Sequence, residues 1–240
     1  MSKTLLPLII CFLTFNATLL HAQEFSFGLK GGINKTYGGI ITGDDAEIPD
    51  EYSSATFTAV GEIGLHGGIW TQVNFGRFFI RPEIVYSKLK SRFDFPQGPR
   101  LYEVEEFSAP VLVGYNIYKP VDIYAGIAYK NILDATLEGN EPVTDTPQIV
   151  VQNTPLSAQI GAKVEFGNFG LDVRYDHSFS SKKSQDVNIF SDWYSFPDPV
   201  MDRGVMEDAR LHQIIVSLTV KLFHSKNEGK KRRRGCNCSY

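Results

Sequence analysis

The sequence has no long hydrophobic run in its body, few cysteines and no strong excess of either charge. After the first two dozen positions no apolar run reaches the about 18 residues that a membrane-spanning helix needs, so a helical membrane protein is excluded. The chain has 24 lysines and arginines against 27 acidic residues, with 42% hydrophobic residues, which rules out a disordered or collagen-like chain. Zinc, phosphate-loop and dinucleotide motifs are also missing, so the sequence predicts no metal and no cofactor.

The N-terminus predicts a secretory signal peptide over residues 1–23. Lys3 precedes an apolar stretch from Leu5 to Leu20, and a short polar exit follows. A membrane anchor is the alternative, but Pro7 and Asn16 interrupt the apolar stretch and favour removal. We therefore expect a barrel domain over residues 24–223, followed by a basic tail over residues 224–240.

The body of the chain shows apolar and polar residues in alternation. A period of two places successive side chains on opposite faces of a β-strand, and helical spacing fits less well. The alternation predicts eight strands: Glu24 to Lys35, Val60 to Val73, Phe78 to Lys90, Val104 to Ile117, Val121 to Leu133, Leu156 to Phe166, Phe169 to Ser180 and Leu211 to Phe223.

The connections between these segments alternate strictly between long and short. The four long ones are predicted as Thr36 to Ala59, Ser91 to Glu103, Asp134 to Pro155 and Ser181 to Arg210. This rhythm is typical of an antiparallel up-and-down barrel with both termini at the short-turn rim. The sequence therefore predicts an all-β fold: an eight-stranded antiparallel up-and-down transmembrane β-barrel with four long outer loops and three short periplasmic turns.

Two barrels fit this alternation, because either face could line the interior. In a soluble lipocalin-like barrel the apolar face surrounds a ligand cavity, whereas in a transmembrane barrel it meets lipid. Segments of about 9 to 11 residues or more, with aromatics for interfacial girdles, favour the transmembrane barrel. The girdle candidates are Tyr86, Tyr115, Tyr129, Tyr175 and Phe223.

The predicted polar face carries balanced charge. Its twelve charged residues are Lys30, Glu62, Arg81, Glu83, Glu106, Lys130, Lys163, Glu165, Asp172, Arg174, Asp176 and Lys221, six of each sign. Eight strands leave an interior just wide enough for side chains to fill, so we expect a closed lumen; a proton or ion path is the alternative. The predicted lumen charge network comprises Lys30, Glu62, Arg81, Glu83, Lys163, Glu165, Asp172, Arg174 and Asp176.

Several strand motifs resemble a known family. They are FGLKGGIN, GLHGGIW, FFIRPEIVYS, SAPVLVGYNI, DIYAGIAYK and LDVRYDHSFS, in that order along the chain. In order and spacing they resemble the small outer-membrane β-barrel family of Bacteroidetes, often labelled PorT-like. The resemblance implies an integral outer-membrane protein inserted by the barrel-assembly machinery, which reads a terminal aromatic. Here 17 residues follow the corresponding Phe223.

One local triplet has the residue types of a hydrolase. Asp176, His177 and Ser178 are consecutive, and in a strand His177 points away from the other two, so the three cannot act as nucleophile, base and orienting group. The sequence therefore predicts no enzyme. A lipid-modifying or hydrolytic site assembled from different strands is the alternative.

The outer loops and the tail are the predicted contact regions. Aromatic residues in the fourth long loop suit contact with a partner or packing over the barrel mouth. The tail has six Lys and Arg residues against one Glu after Phe223, which suits an anionic periplasmic partner such as lipid headgroups or peptidoglycan. A basic run often indicates nucleic-acid binding, but the predicted signal peptide directs this chain out of the cytoplasm, so we expect no nucleic-acid partner. The outer-loop contact residues are Phe190, Trp193, Tyr194 and Phe196.

Cys236 and Cys238 are the thiols left after signal removal, and both lie in the tail, so no disulfide framework holds the body.

The predicted function is a non-enzymatic integral outer-membrane protein that supports envelope structure or contacts a partner or ligand through its outer loops. Lipid of the outer membrane and the assembly machinery are the expected partners. The alternatives are the barrel enzyme, the soluble ligand-binding barrel and a component linked to protein secretion.

Overall fold

The computed structural model describes residues 24–43, 55–95, 98–138, 155–179, 185–188, 203–209 and 211–225. It contains thirteen strands in these ranges. They are β1 Glu24–Tyr37, β2 Ile40–Gly43, β3 Thr56–Thr58, β4 Val60–Gly61, β5 Ile63–Phe75, β6 Phe78–Phe95, β7 Gly98–Tyr118, β8 Val121–Leu137, β9 Leu156–Phe166, β10 Phe169–Ser178, β11 Gln185–Asn188, β12 Arg203–Asp208 and β13 His212–Ser225. Within the same ranges, no helix is long and apolar enough to span a bilayer.

Eight of these strands form a closed antiparallel ring. The order is β1, β5, β6, β7, β8, β9, β10 and β13, and the pairing of β13 with β1 closes it. Short turns lie at 76–77, 119–120 and 167–168. The eight-stranded up-and-down barrel is therefore confirmed, and all eight predicted strands correspond to strands of the ring.

The ring turns its apolar residues outward and its polar residues inward. Large apolar side chains such as Leu65, Ile127, Ile160 and Leu218 are more than 60% exposed on the outer face, while charged and amide groups fill the interior. A soluble barrel would bury the apolar face. The soluble ligand-binding alternative is therefore wrong.

Aromatic side chains lie on the outer face near both rims. At the short-turn rim Phe78 packs against Tyr115 with ring centroids 4.9 Å apart, and Phe25 lies 6.3 Å from Phe223. Toward the long-loop end, Tyr86, Tyr129 and Tyr175 are exposed on the wall. This distribution is typical of the interfacial girdles of membrane barrels.

The ring continues beyond this band as an outer tier. The strands β11, β12, β2 and β3 form a second sheet in that order, here called the outer sheet. It extends the wall, because β2 pairs with β12 just as β1 pairs with β13. Gly38 and Gly39, with φ of 97° and 101°, separate β1 from β2, and these left-handed angles favour glycine.

Beyond the membrane band, β6 and β7 continue as a long hairpin. The pairing runs from Phe78 with Tyr115 up to Phe95 with Gly98. The predicted long loop from Ser91 to Glu103 is therefore wrong. The strands persist because their alternation persists: Leu89, Phe93 and Phe95 face inward and are buried, while Lys90 and Arg92 face outward.

The outer sheet and the hairpin enclose a second, apolar core, here called the outer core. Phe93 and Tyr102 are fully buried in it, and Phe57 packs on Phe95 with ring centroids 4.9 Å apart. The inner face of the barrel is thus polar in the membrane band and apolar above it. The buried members are Ile41, Ala59, Leu89, Phe93, Phe95, Tyr102, Val104, Leu137, Val187, Met206, Ala209 and Leu211.

Candidate functional site: the charged lumen

The centre of the lumen is organised around one carboxylate. Glu83 on β6 lies 3.0 Å from the Lys30 ammonium, 2.9 Å from Arg81 Nε, and 3.0 Å and 3.1 Å from the two terminal nitrogens of Arg174. The ion-pairing side chains of Lys30, Arg81, Glu83 and Arg174 are at most 1% exposed. With Asp172, 3.4 Å from Arg174, these five residues form the central cluster.

Aromatic residues brace the central cluster. Tyr124 donates a hydrogen bond to Asp172 at 2.5 Å and accepts one from Arg174 Nε at 3.1 Å. The Arg81 guanidinium lies 4.4 Å above the Trp70 ring, in a cation–π arrangement. Each charged group of the cluster therefore has a fixed neighbour, which suits a rigid plug.

A second group of charges lies toward the outer tier. Lys130 pairs with Asp176 at 3.2 Å and with Glu106 at 3.6 Å. Gln159 donates to the Asp176 carboxylate at 2.8 Å and accepts from Arg174 at 2.9 Å, so it joins this outer cluster of Lys130, Glu106 and Asp176 to the central one.

A third group lies toward the short turns. Lys163 contacts Glu165 at 2.7 Å, Gln72 at 2.7 Å and Asp122 at 3.3 Å. Lys221 also pairs with Glu165, at 2.9 Å. This inner cluster borders a cavity of about 620 Å³ that opens at the short-turn rim.

Glycines make room for the large inward side chains. Four inward glycines each lie directly across a strand pair from a ring: Gly28 from Trp70, Gly32 from His66, Gly114 from Phe79 and Gly161 from Tyr124. A Cβ at any of these glycines would collide with that ring or with the adjacent backbone. The narrow barrel can therefore hold these large rings because glycine, which has no side chain, occupies the position paired with each of them.

Eight of the nine residues predicted for the lumen network lie in these clusters. Glu62 does not: it lies between β4 and β5, and its carboxylate faces Arg92 at 3.5 Å on the outer tier. The break between the two strands shifts the alternation at Glu62, so its predicted inward direction is wrong. The predicted network did not include Asp122, Tyr124 and Trp70, because only the register of neighbouring strands shows that they contact it.

Other predicted residues fall elsewhere. Phe190, Trp193, Tyr194 and Phe196 lie outside the described residues, as do the signal segment and the tail from residue 226. Asp176 and Ser178 are buried inside the barrel, whereas His177 faces outward and stacks on His212 with ring centroids 4.5 Å apart. In the described part of the chain no group of three or more His, Cys, Asp or Glu residues is arranged to hold a metal ion.

Three solved structures are similar in fold. Neisserial surface protein A (NspA) matches with 12% identity and a TM-score of 0.43, over 82% of this chain and 98% of its own. Ail, the attachment invasion locus protein of Yersinia pestis, solved with the heparin analogue sucrose octasulfate, matches with 10% identity and a TM-score of 0.45, over 83% and 98%. The outer membrane protein OprG from Pseudomonas aeruginosa matches with 14% identity and a TM-score of 0.48, over 85% and 98%.

No curated protein matches the sequence. The family model described as "Outer membrane protein beta-barrel domain" matches residues 21–183, which is more than half of the chain and includes seven of the eight ring strands. With its lipid-facing apolar wall and closed ring, the chain belongs to the outer membrane protein beta-barrel domain family.

Proposed function

We propose that this protein is a closed, non-enzymatic barrel that anchors its outer tier in the outer membrane and presents it for envelope support or partner contact. The central cluster supports this proposal. Ion-pairing side chains at most 1% exposed occupy the middle of the lumen and hold one another at 2.9 to 3.4 Å. A pore needs a continuous aqueous path, and interlocked buried charges oppose one.

The positions of the titratable groups support the non-enzymatic part of the proposal. An acyl-transfer site needs a nucleophile, a base and an orienting group within hydrogen-bond reach. His177 lies on the face opposite Asp176 and Ser178. Asp176 is occupied by Lys130 and Gln159, so it has a structural role in the plug.

The outer tier is the region that we propose to make contacts. Its core is apolar and buried, while its outer face carries matched charges, including Lys90 with Glu103 at 2.7 Å. Such a surface is stable outside the bilayer and open to water-soluble partners. We include in the proposal the fourth-loop aromatics as contact residues, removal of the signal segment and an anionic periplasmic partner for the tail. We also propose that the protein contacts outer-membrane lipid, that the barrel-assembly machinery inserts it, and that it is a member of the PorT-like group.

Conductance in a planar lipid bilayer tests this function. The full chain is purified from isolated outer membranes, and only a fraction whose gel mobility changes on boiling is used, because that change reports a folded barrel. We expect no stepwise ion current from the wild type. A steady current from that fraction would refute the closed barrel.

A plug variant shows that the assay would detect an opening. Replacing Glu83 and Arg174 together by alanine removes two facing charges from the central cluster, and we expect current from the molecules that keep the heat-dependent mobility. The matched control replaces Glu103 and Lys90 by alanine. This pair lies on the outer tier, so we expect the control to stay silent.

A further inference from the structure

A small void separates the central cluster from the outer cluster. Its volume is about 10 Å³, close to the space of one water molecule. Eight of its eleven lining residues are polar, and the eleven come from seven strands of the ring. The lining residues are Lys30, His66, Val85, Ser87, Glu106, Ser108, Pro110, Gln159, Arg174, Asp176 and Ile215.

Two residues that line this void each have a buried side-chain atom with no hydrogen-bond partner among the described residues. Asp176 is 1% exposed; its Oδ2 accepts from Gln159, but its Oδ1 accepts from nothing. His66 is 7% exposed; its Nε2 lies 2.8 Å from Ser217 Oγ, but its Nδ1 has no partner. Buried polar atoms are nearly always paired, with protein or with ordered water.

The charge around the void decides what kind of occupant fits. Lys30 and Arg174 contribute two positive charges to the lining, while Glu106 and Asp176 contribute two negative ones. An added cation or anion would leave one charge unbalanced in a desolvated place. A neutral molecule with two hydrogen-bond donors and two acceptors leaves the four charges balanced.

We propose that this void is a binding site for one water molecule, which donates one hydrogen bond to Asp176 Oδ1 and the other to His66 Nδ1. The Lys30 ammonium, which also lines the void, is a donor for the oxygen of this water. In this arrangement the His66 ring is protonated on Nε2, and this N–H group donates a hydrogen bond to Ser217 Oγ. The water adds a second link between the outer and central clusters, beside the one that Gln159 makes, and it does so independently of the function proposed above.

A high-resolution crystal structure of the full chain tests the occupant directly. We expect one solvent peak within hydrogen-bond distance of both Asp176 Oδ1 and His66 Nδ1, unchanged after crystals are soaked in rubidium or bromide salts. An anomalous signal in the void would show an ion and overturn the proposal. An empty void would overturn it as well.

An added methyl group tests the same site in solution. Val85→Ile extends a lining side chain into the void, and Val104→Ile adds the same methyl group to the outer core as a control for overpacking. If water fills the void, Val85→Ile expels it and orphans two acceptors. We then expect the urea midpoint of unfolding to fall further than for Val104→Ile. A midpoint that rises, or falls no further than the control, would refute the bound water.

Discussion

Replacing Glu83 by glutamine is the most direct test of the plug's energetics. Glu83 faces Lys30, Arg81 and Arg174 at 2.9 to 3.1 Å. Glutamine keeps the shape of the side chain but removes its charge. In the central cluster three cations would then face Asp172 as the remaining carboxylate.

The size of the effect follows from the burial of these groups. Breaking a buried ion pair by removing one partner costs about 3 to 5 kcal/mol, because a charge is left uncompensated. Glutamine can still accept a hydrogen bond, so we expect a loss of about 3 kcal/mol, roughly a hundredfold in the unfolding equilibrium. The control Glu103→Gln breaks partly exposed pairs and should cost less than about 1 kcal/mol.

Urea unfolding of the full chain in lipid vesicles, followed by tryptophan fluorescence, measures both variants. Trp70 stacks on Arg81 and reports on the cluster. A second change separates charge from packing. Arg81→Met in the Glu83→Gln background restores the wild-type excess of one positive charge in the central cluster, and we expect it to recover part of the loss. Equal stability of Glu83→Gln and Glu103→Gln would refute the reasoning.

Two further predictions concern packing and pH. Gly114→Ala places a Cβ against the Phe79 ring and should cost about 1 to 3 kcal/mol, whereas at the outward Gly67 the nearest atom to a new Cβ is 3.9 Å away and the same change should be nearly neutral in urea unfolding. On the outer tier, the hydrogen bond from Lys90 lowers the pKa of Glu103 below its ordinary value. Its contribution, below about 1 kcal/mol after solvent screening, is therefore present above that ordinary value and is lost as pH falls through the lowered pKa. As pH falls through the lowered pKa of Glu103, the protection of amides in the β6–β7 hairpin against hydrogen exchange should decrease, and it should decrease less in Glu103→Gln.

The strand rhythm predicted the ring because it reports a property of each strand alone. A period of two, read over about ten residues, fixes which side chains share a face. The short turns after Phe75, Tyr118 and Phe166 lie where the alternation stops. These features need no knowledge of neighbouring strands.

The outer tier escaped the same reading because its faces are reversed. Along β6 the outward residues change from Ile84 and Tyr86 to Lys88 and Lys90, while the inward ones change from Arg81 and Glu83 to Leu89 and Phe93. Outside the bilayer the outward face meets water, so the apolar side chains turn to the interior. The sequence prediction assumed that the apolar side chains face lipid along the whole strand, so it assigned the segment after the reversal to a loop.

The sequence by itself determined the β-class, the eight strands of the ring and which side chains share a face, because each follows from local alternation. Segment length and the aromatic residues then favoured the polar face as the inner one. Only the tertiary structure decided which charges meet. Lys30 and Glu83 are 53 residues apart, and Glu83 and Arg174 are 91 apart. Their contacts depend on the register of each strand pair and on the closure of the ring. The tertiary structure also showed the break that turns Glu62 toward Arg92. It folded β2, β3, β11 and β12 over the outer core, because burial above the bilayer depends on strands that are distant in the chain.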